Sequence, residues 1–198
     1  MSARTDILGR VRAHQPAARE LPDWPAFAGG SGAGRFADFS AALERMGGKV
    51  ADAPANGDLS AWLAARFPDA KVICSAVPEV AGNRPLDTVH HARDLDDVDV
   101  GVVRAAFGVA ETGSVLLTER EMPAEALGFL AQHLVVLLDP ATIVATLHDG
   151  YADARVAAAR YAIFMTGPSA TADIEGVLIH GAQGIRSLTV VPMLPTAP

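Results

Sequence analysis

The chain has 198 residues, half of them hydrophobic and a fifth charged, with a net charge of −7 and a single cysteine, Cys74. Length and apolar content suit one folded domain with a sizeable core and exclude a disordered chain. The negative charge, without any lysine–arginine stripe, excludes nucleic acid as a partner, and one thiol permits neither an internal disulfide nor a cysteine-ligated zinc or iron–sulfur site.

Residues 1–20 carry Asp6, Arg10, Arg12 and His14 among their apolar positions, so they lack the uninterrupted apolar stretch of a secretion signal. Residues 5–13 are predicted to form a short helix capped by Thr5, with Ile7, Leu8 and Val11 on one face. A proline- and glycine-rich stretch follows over residues 15–34. Its glycines match neither nucleotide-binding glycine signature and no strand leads into them, which predicts a flexible linker. The expected division is therefore an N-terminal helix with a flexible segment, residues 1–34, and a single α/β domain, residues 35–198.

Within that domain, Phe36, Phe39, Ala42, Leu43 and Met46 define a helical face that ends at Gly47-Gly48. Residues 49–53 read as a short strand, and Leu59, Trp62, Leu63 and Phe67 as a helix stopped by Pro68. Residues 71–76 form a continuous apolar strand of the buried type. An acidic stretch at 94–99 starts a helical turn, and 102–109 and 114–118 read as strands flanking Ala110-Glu111-Thr112-Gly113. A helix at 124–132 and a strand at 133–138 follow. Asp139-Pro140 is predicted to open a helix to about residue 147 as cap plus first-turn proline, with a second helix at 152–160. The chain closes with a strand at 161–166, a helix at 170–180 and a strand at 188–193. The most hydrophobic stretch, 134–147, is interrupted by Asp139 and Pro140 and is too short to span a bilayer, so a cytoplasmic protein with no membrane contact is expected. Alternating helices and buried strands predict an α/β fold with a largely parallel sheet and some antiparallel pairing near Glu111.

Two turns carry the candidate chemistry. In the first, Glu111 lies between an apolar strand and the Thr112-Gly113 turn, where a carboxylate under a cleft can act as acid, base or nucleophile. The alternative is that Glu111 accepts backbone N–H bonds and pins the turn. Thr112, Gly113 and Ser114 add two hydroxyls and a closely approachable backbone, suited to a small anion or to any tight turn. In the second, Thr166, Gly167, Pro168 and Ser169 end a strand, with Ser169 or Thr171 as helix cap and Ile174, Val177 and Leu178 as the helix's apolar stripe. Asp173 can hydrogen-bond a ligand hydroxyl or support the cap. Together with Glu175 it disfavours a dianion there: a like charge some 8 Å away costs about 2 kcal/mol at an effective dielectric of about 20. Both turns sit at strand ends and are predicted to line one crevice, with Gly113 and Gly167 facing it. His90 and His91 are adjacent and point to opposite faces of any strand, and no histidine–carboxylate cluster has ligand spacing, so no metal site is expected.

The runs AETGS at 110–114 and TGPSATADIE at 166–175, with the closing GAQGIRSLTVV at 181–191, resemble the lactate-utilisation protein C family, the LUD domain. The resemblance spans about residues 35–193. It implies a Rossmann-like three-layer sandwich of the type shared by glucosamine-phosphate isomerase, ribose-phosphate isomerase and coenzyme A transferases. It also implies an accessory subunit acting with iron–sulfur partner proteins in oxidation of L-lactate to pyruvate, with a small carboxylate-type ligand. The family has a histidine at the strand start occupied by His133, which adds that residue to the candidate ligand set. With one cysteine and no flavin or nicotinamide fingerprint, the chain is expected to carry no cofactor and no electrons. It departs from the family where Gln183 stands for a histidine and Ile185 for a proline, and glutamine cannot titrate. Two rival readings remain: a free-standing acyl- or coenzyme A-transfer or sugar-phosphate isomerase-like enzyme using Glu111, as a glutamate beside a glycine turn attacks the thioester in coenzyme A transferases, and a ligand-free scaffold.

Overall fold

The structure, a computed structural model, describes residues 2–20, 34–168, 170–171, 179–180 and 184–194. Its centre is a fully parallel five-stranded sheet. The strands are β1 (Lys49–Val50), β2 (Ile73–Ser75), β3 (Val100–Arg104), β6 (His133–Leu138) and β10 (Ser187–Pro192), in the order β1-β10-β6-β3-β2. A second, antiparallel sheet contains β4 (Phe107–Val109), β5 (Ser114–Thr118) and β7 (Ala162–Met165), with β5 in the middle.

Strand alternation assigns each side chain to a layer. On β6, Val135 and Leu137 face Leu59 and Leu63 of α3 (Leu59–Arg66), whereas Leu134, Val136 and Leu138 face the opposite side. That opposite side is covered by Phe39 and Leu43 of α2 (Arg35–Arg45), by Leu127 of the one-turn α4 (Leu127–Leu130), and by Val115 and Leu117 of the antiparallel sheet. The outer face of the antiparallel sheet, Phe107, Val109 and Leu116, packs on Leu147 of α5 (Leu147–Ala152) and Val156 of α6 (Ala154–Ala158). The result is the expected α/β sandwich, mostly parallel with antiparallel pairing. The first helix, α1 (Ala3–Ala13), begins at a Ser2 cap instead of Thr5 and buries no residue.

Four sequence expectations are corrected. The strand expected over 102–109 is split between the two sheets: Ala105 N–H still donates to Leu137 of the parallel sheet, while Ala106 N–H donates to Leu116 of the antiparallel one. The helix expected from Asp139 to about 147 is only a 3-10 turn, Pro140–Thr142. After it, the β-branched Ile143 and Val144 satisfy the open edge of β4 through Val144 N–H to Gly108 and Ala110 N–H to Val144, both at 2.9 Å. Thr146 then starts α5 with a capping box shared with Asp149. The helix expected over 124–132 contracts to the single turn of α4. Finally, the described ends of the helix expected over 170–180 are short antiparallel strands, β8 (Ala170–Thr171) and β9 (Ile179–His180), with Thr171 opposite Ile179. The proposed stripe of Ile174, Val177 and Leu178 lies outside the described residues, as does Glu175.

Candidate functional site

The antiparallel sheet brings the two signature turns together. Pairing of Val115 with Met165 leaves Thr112-Gly113, before β5, beside Thr166-Gly167, after β7. The Thr166 hydroxyl donates to the Thr112 carbonyl at 3.3 Å and ties them. Both glycines have φ +64°, and both press on the C-terminal half of α2. A Cβ at Gly113 would lie 2.1 Å from Leu43 N, and one at Gly167 would lie 2.0 Å from Met46 O. They are needed for close backbone packing. Ser114 is buried in the sheet, Pro168 is half-buried, and the Thr112 hydroxyl is buried with no hydrogen-bond partner among the described residues. Ser169, Asp173 and Gln183 lie outside the described residues.

Glu111 is exposed and engaged with α5. Its Oε2 accepts from Leu147 N–H at 2.9 Å, and its own N–H donates to Ala145 O at 3.1 Å. Leu147 N–H is one of the unpaired donors of the first turn of α5, so the carboxylate sits where the helix dipole favours a negative charge.

His133 stands elsewhere. As the first residue of β6 it lies at the amino edge of the parallel sheet, opposite Ser187 of β10 and Val100 of β3. Its Nδ1 is 2.8 Å from the Ser187 hydroxyl, and its ring lies against Phe67 with centroids 4.9 Å apart. Burial, then the positive charge of Arg186, hold its pKa below the usual histidine value, with Asp99 acting in the opposite sense. His133 lines a cavity of about 500 Å³ together with Lys49, Arg66, Phe67, Arg186 and Thr189. Asp99 also borders it, with its Oδ2 accepting from Val72 and Lys71 N–H, which lowers its pKa.

The structure thus divides the predicted set. Thr112, Gly113, Ser114, Thr166, Gly167 and Pro168 meet at one junction, whereas His133 belongs to the amino-edge cavity. The two regions adjoin through the start of β1: a Cβ at Gly48 would lie 3.3 Å from Gly167 Cα, and the next residue, Lys49, lines the cavity. Lys49 and Arg66 carry no motif, Thr189 lies in the closing run at 181–191, and none of the three was among the site residues expected; the parallel register and the end of α3 gather them. At the carboxyl edge, where open α/β sheets ordinarily take ligands, Arg104 pairs with Glu79 at 2.5 Å and donates to Met193 O at 2.9 Å. Among the described residues no group of three or more histidine, cysteine or acidic side chains could hold a metal ion, and no helix is long and apolar enough to cross a membrane.

Both turns lie within a stretch that matches a known family. Residues 42–192 match the LUD domain family model. Lactate utilization protein C of Deinococcus radiodurans is 31% identical over 101 residues, covering 50% of this chain and 48% of that protein. An uncharacterized protein of Neisseria meningitidis serogroup B is 26% identical over 124 residues, covering 61% of this chain and 53% of that protein. The chain spans about half the length of these curated relatives. A crystal structure of a DUF162 family protein from Deinococcus radiodurans superposes with a TM-score of 0.59 at 18% identity, covering 82% of this chain and 98% of that one, and so shares the fold. With the family model matching 151 consecutive residues of the 198, residues 42–192, the chain belongs to the LUD domain family.

Proposed function

We propose that the protein is an accessory subunit of a lactate-utilisation system. It acts with iron–sulfur partner proteins that oxidise L-lactate to pyruvate, and it holds a small carboxylate at the junction of the two signature turns. The observation that carries this reading is the family match together with the juxtaposition of Thr112-Gly113 and Thr166-Gly167, the two motifs characteristic of the resemblance. The buried, unpartnered Thr112 hydroxyl supports a polar ligand there, since a buried donor left unpaired is costly. The single cysteine supports a subunit that assists electron transfer without carrying a cluster of its own, because such clusters take four ligands.

The test is recovery of the tagged protein from its host grown on L-lactate, with a deletion strain grown in parallel. Cysteine-rich iron–sulfur proteins in the eluate and loss of lactate growth in the deletion strain are the expected results. Unimpaired lactate growth of the deletion strain would refute the proposal.

A further inference from the structure

We propose that the cavity at the amino edge of the parallel sheet is a binding site for a phosphate monoester of about mononucleotide size. This inference does not rest on the lactate-utilisation reading.

The cavity arises from where α3 stops. His133 of β6 and Ser187 and Thr189 of β10 lie two or four residues from Val135, Leu137 and Val191 along their strands, so they belong to the same face, the one covered by α3. The helix ends at Arg66, and Phe67, Pro68, Asp69 and Ala70 lead away over the strand starts, leaving these polar side chains under an open roof. Lys49, at the start of β1, and Arg186, just before β10, close the sides.

The chemistry of this lining is unlike that of the molecule as a whole. The chain is net −7, yet three cations, Lys49, Arg66 and Arg186, converge on one cavity. Among the described residues none of the three forms an ion pair. Two carboxylates, Asp69 and Asp99, also border the space, and Asp99 Oδ2 accepts from two backbone N–H groups, which hold that side chain in place as an anion. The Ser187 and Thr189 hydroxyls and the second ring nitrogen of His133, Nε2, supply further hydrogen bonds. Three cations against two carboxylates leave the lining net positive, and with neutral donors beside them this suits an oxyanion, which guanidinium groups can grip through two parallel N–H bonds. A volume of about 500 Å³ is far more than a phosphate group fills and lies in the range that holds whole organic ligands. Phe67, Pro68 and Ala70 offer the apolar wall that the organic part of a monoester would cover.

The test is NMR titration of the full chain, following the His133 ring resonance, assigned by its loss in His133→Gln. The probes are adenosine 5′-monophosphate, inorganic phosphate and adenosine. Saturable binding is expected in the order monophosphate, then phosphate, with adenosine weakest, and bound anion should raise the His133 pKa because it favours the imidazolium. Arg186→Gln and Lys49→Gln should each weaken the monophosphate roughly tenfold or more, as expected on losing a hydrogen bond to a charged group, with unchanged melting temperature since both side chains are exposed. No saturable response to either anion would overturn the site. Phosphate binding as tightly as the monophosphate would overturn the organic subsite, and adenosine doing so would overturn the anion site. Wild-type affinity in both folded variants would overturn the assignment of the cations.

Discussion

Gly113 and Gly57 share a left-handed backbone, φ +64° and +72°, but not a neighbourhood. Around Gly57 a Cβ would meet nothing within 4 Å, whereas at Gly113 it would strike the α2 backbone at Leu43. Gly57→Ala should therefore cost only the left-handed penalty, about 1 kcal/mol, and Gly113→Ala or Gly167→Ala about 3 kcal/mol or more, since overpacking is added. Urea denaturation of the three variants measures this, and equal losses would remove the close-packing account. Glu111 separates differently. Because its carboxylate accepts from Leu147 N–H, Glu111→Gln keeps one acceptor oxygen and should cost about 1 kcal/mol or less, with lactate growth preserved in a complemented strain. A folded variant that no longer supports growth would favour the acyl-transfer reading, since an amide is neither base nor nucleophile.

At the scale of elements, short helices are held to the antiparallel sheet by caps and ions more than by length. Asp153 caps α6 by accepting from Arg155 N–H at 2.8 Å. Its two oxygens also take the Arg155 guanidinium, which reaches Ala106 O at 2.7 Å and lies 4.7 Å from the centroid of the Phe107 ring. The guanidinium first, and the backbone N–H with it, hold the Asp153 pKa down at about 2 from an ordinary 3.8. A depressed carboxylate pKa contributes stability that is complete above the unfolded value and is lost as pH falls through the folded one. Asp153→Asn should thus lower stability by about 1 kcal/mol at neutral pH. It should also flatten the decline in unfolding free energy between pH 3.8 and about 2, measured by urea titration at each pH. An unchanged acid limb would show that the Asp153–Arg155 contact does not persist in solution.

Across the whole molecule, the parallel sheet is sealed between α3 on one face and α2, α4 and the antiparallel sheet on the other. Cys74 lies inside this sandwich on β2, fully buried, and burial pushes its thiol pKa up. The thiolate is the reactive form, so Cys74 should resist a disulfide reagent such as dithiobis-nitrobenzoate in native buffer and react with one equivalent in denaturant. The native rate then reports opening of the core. Rapid native labelling would mean that the β2 edge opens on its own, independently of the central strands.

What the sequence alone determined was everything set by neighbours along the chain. The apolar runs of β5 and β6, the amphipathic face of α2 and its glycine stop, and the two glycine turns were legible because hydrophobic period and left-handed backbone are local properties. The family motifs were legible for the same reason. Pairing was not. That 102–109 changes sheets after Ala105, that Val144 extends along β4 instead of continuing a helix, and that Ala170 and Thr171 pair with His180 and Ile179 were decided by non-local hydrogen bonds, which satisfy open strand edges and override local helix signals. The site followed the same rule. His133 was readable through its resemblance, but Lys49, Arg66, Arg186 and Thr189 come together only in the tertiary structure, because parallel register aligns the starts of strands that lie far apart in sequence and α3 ends short of covering them.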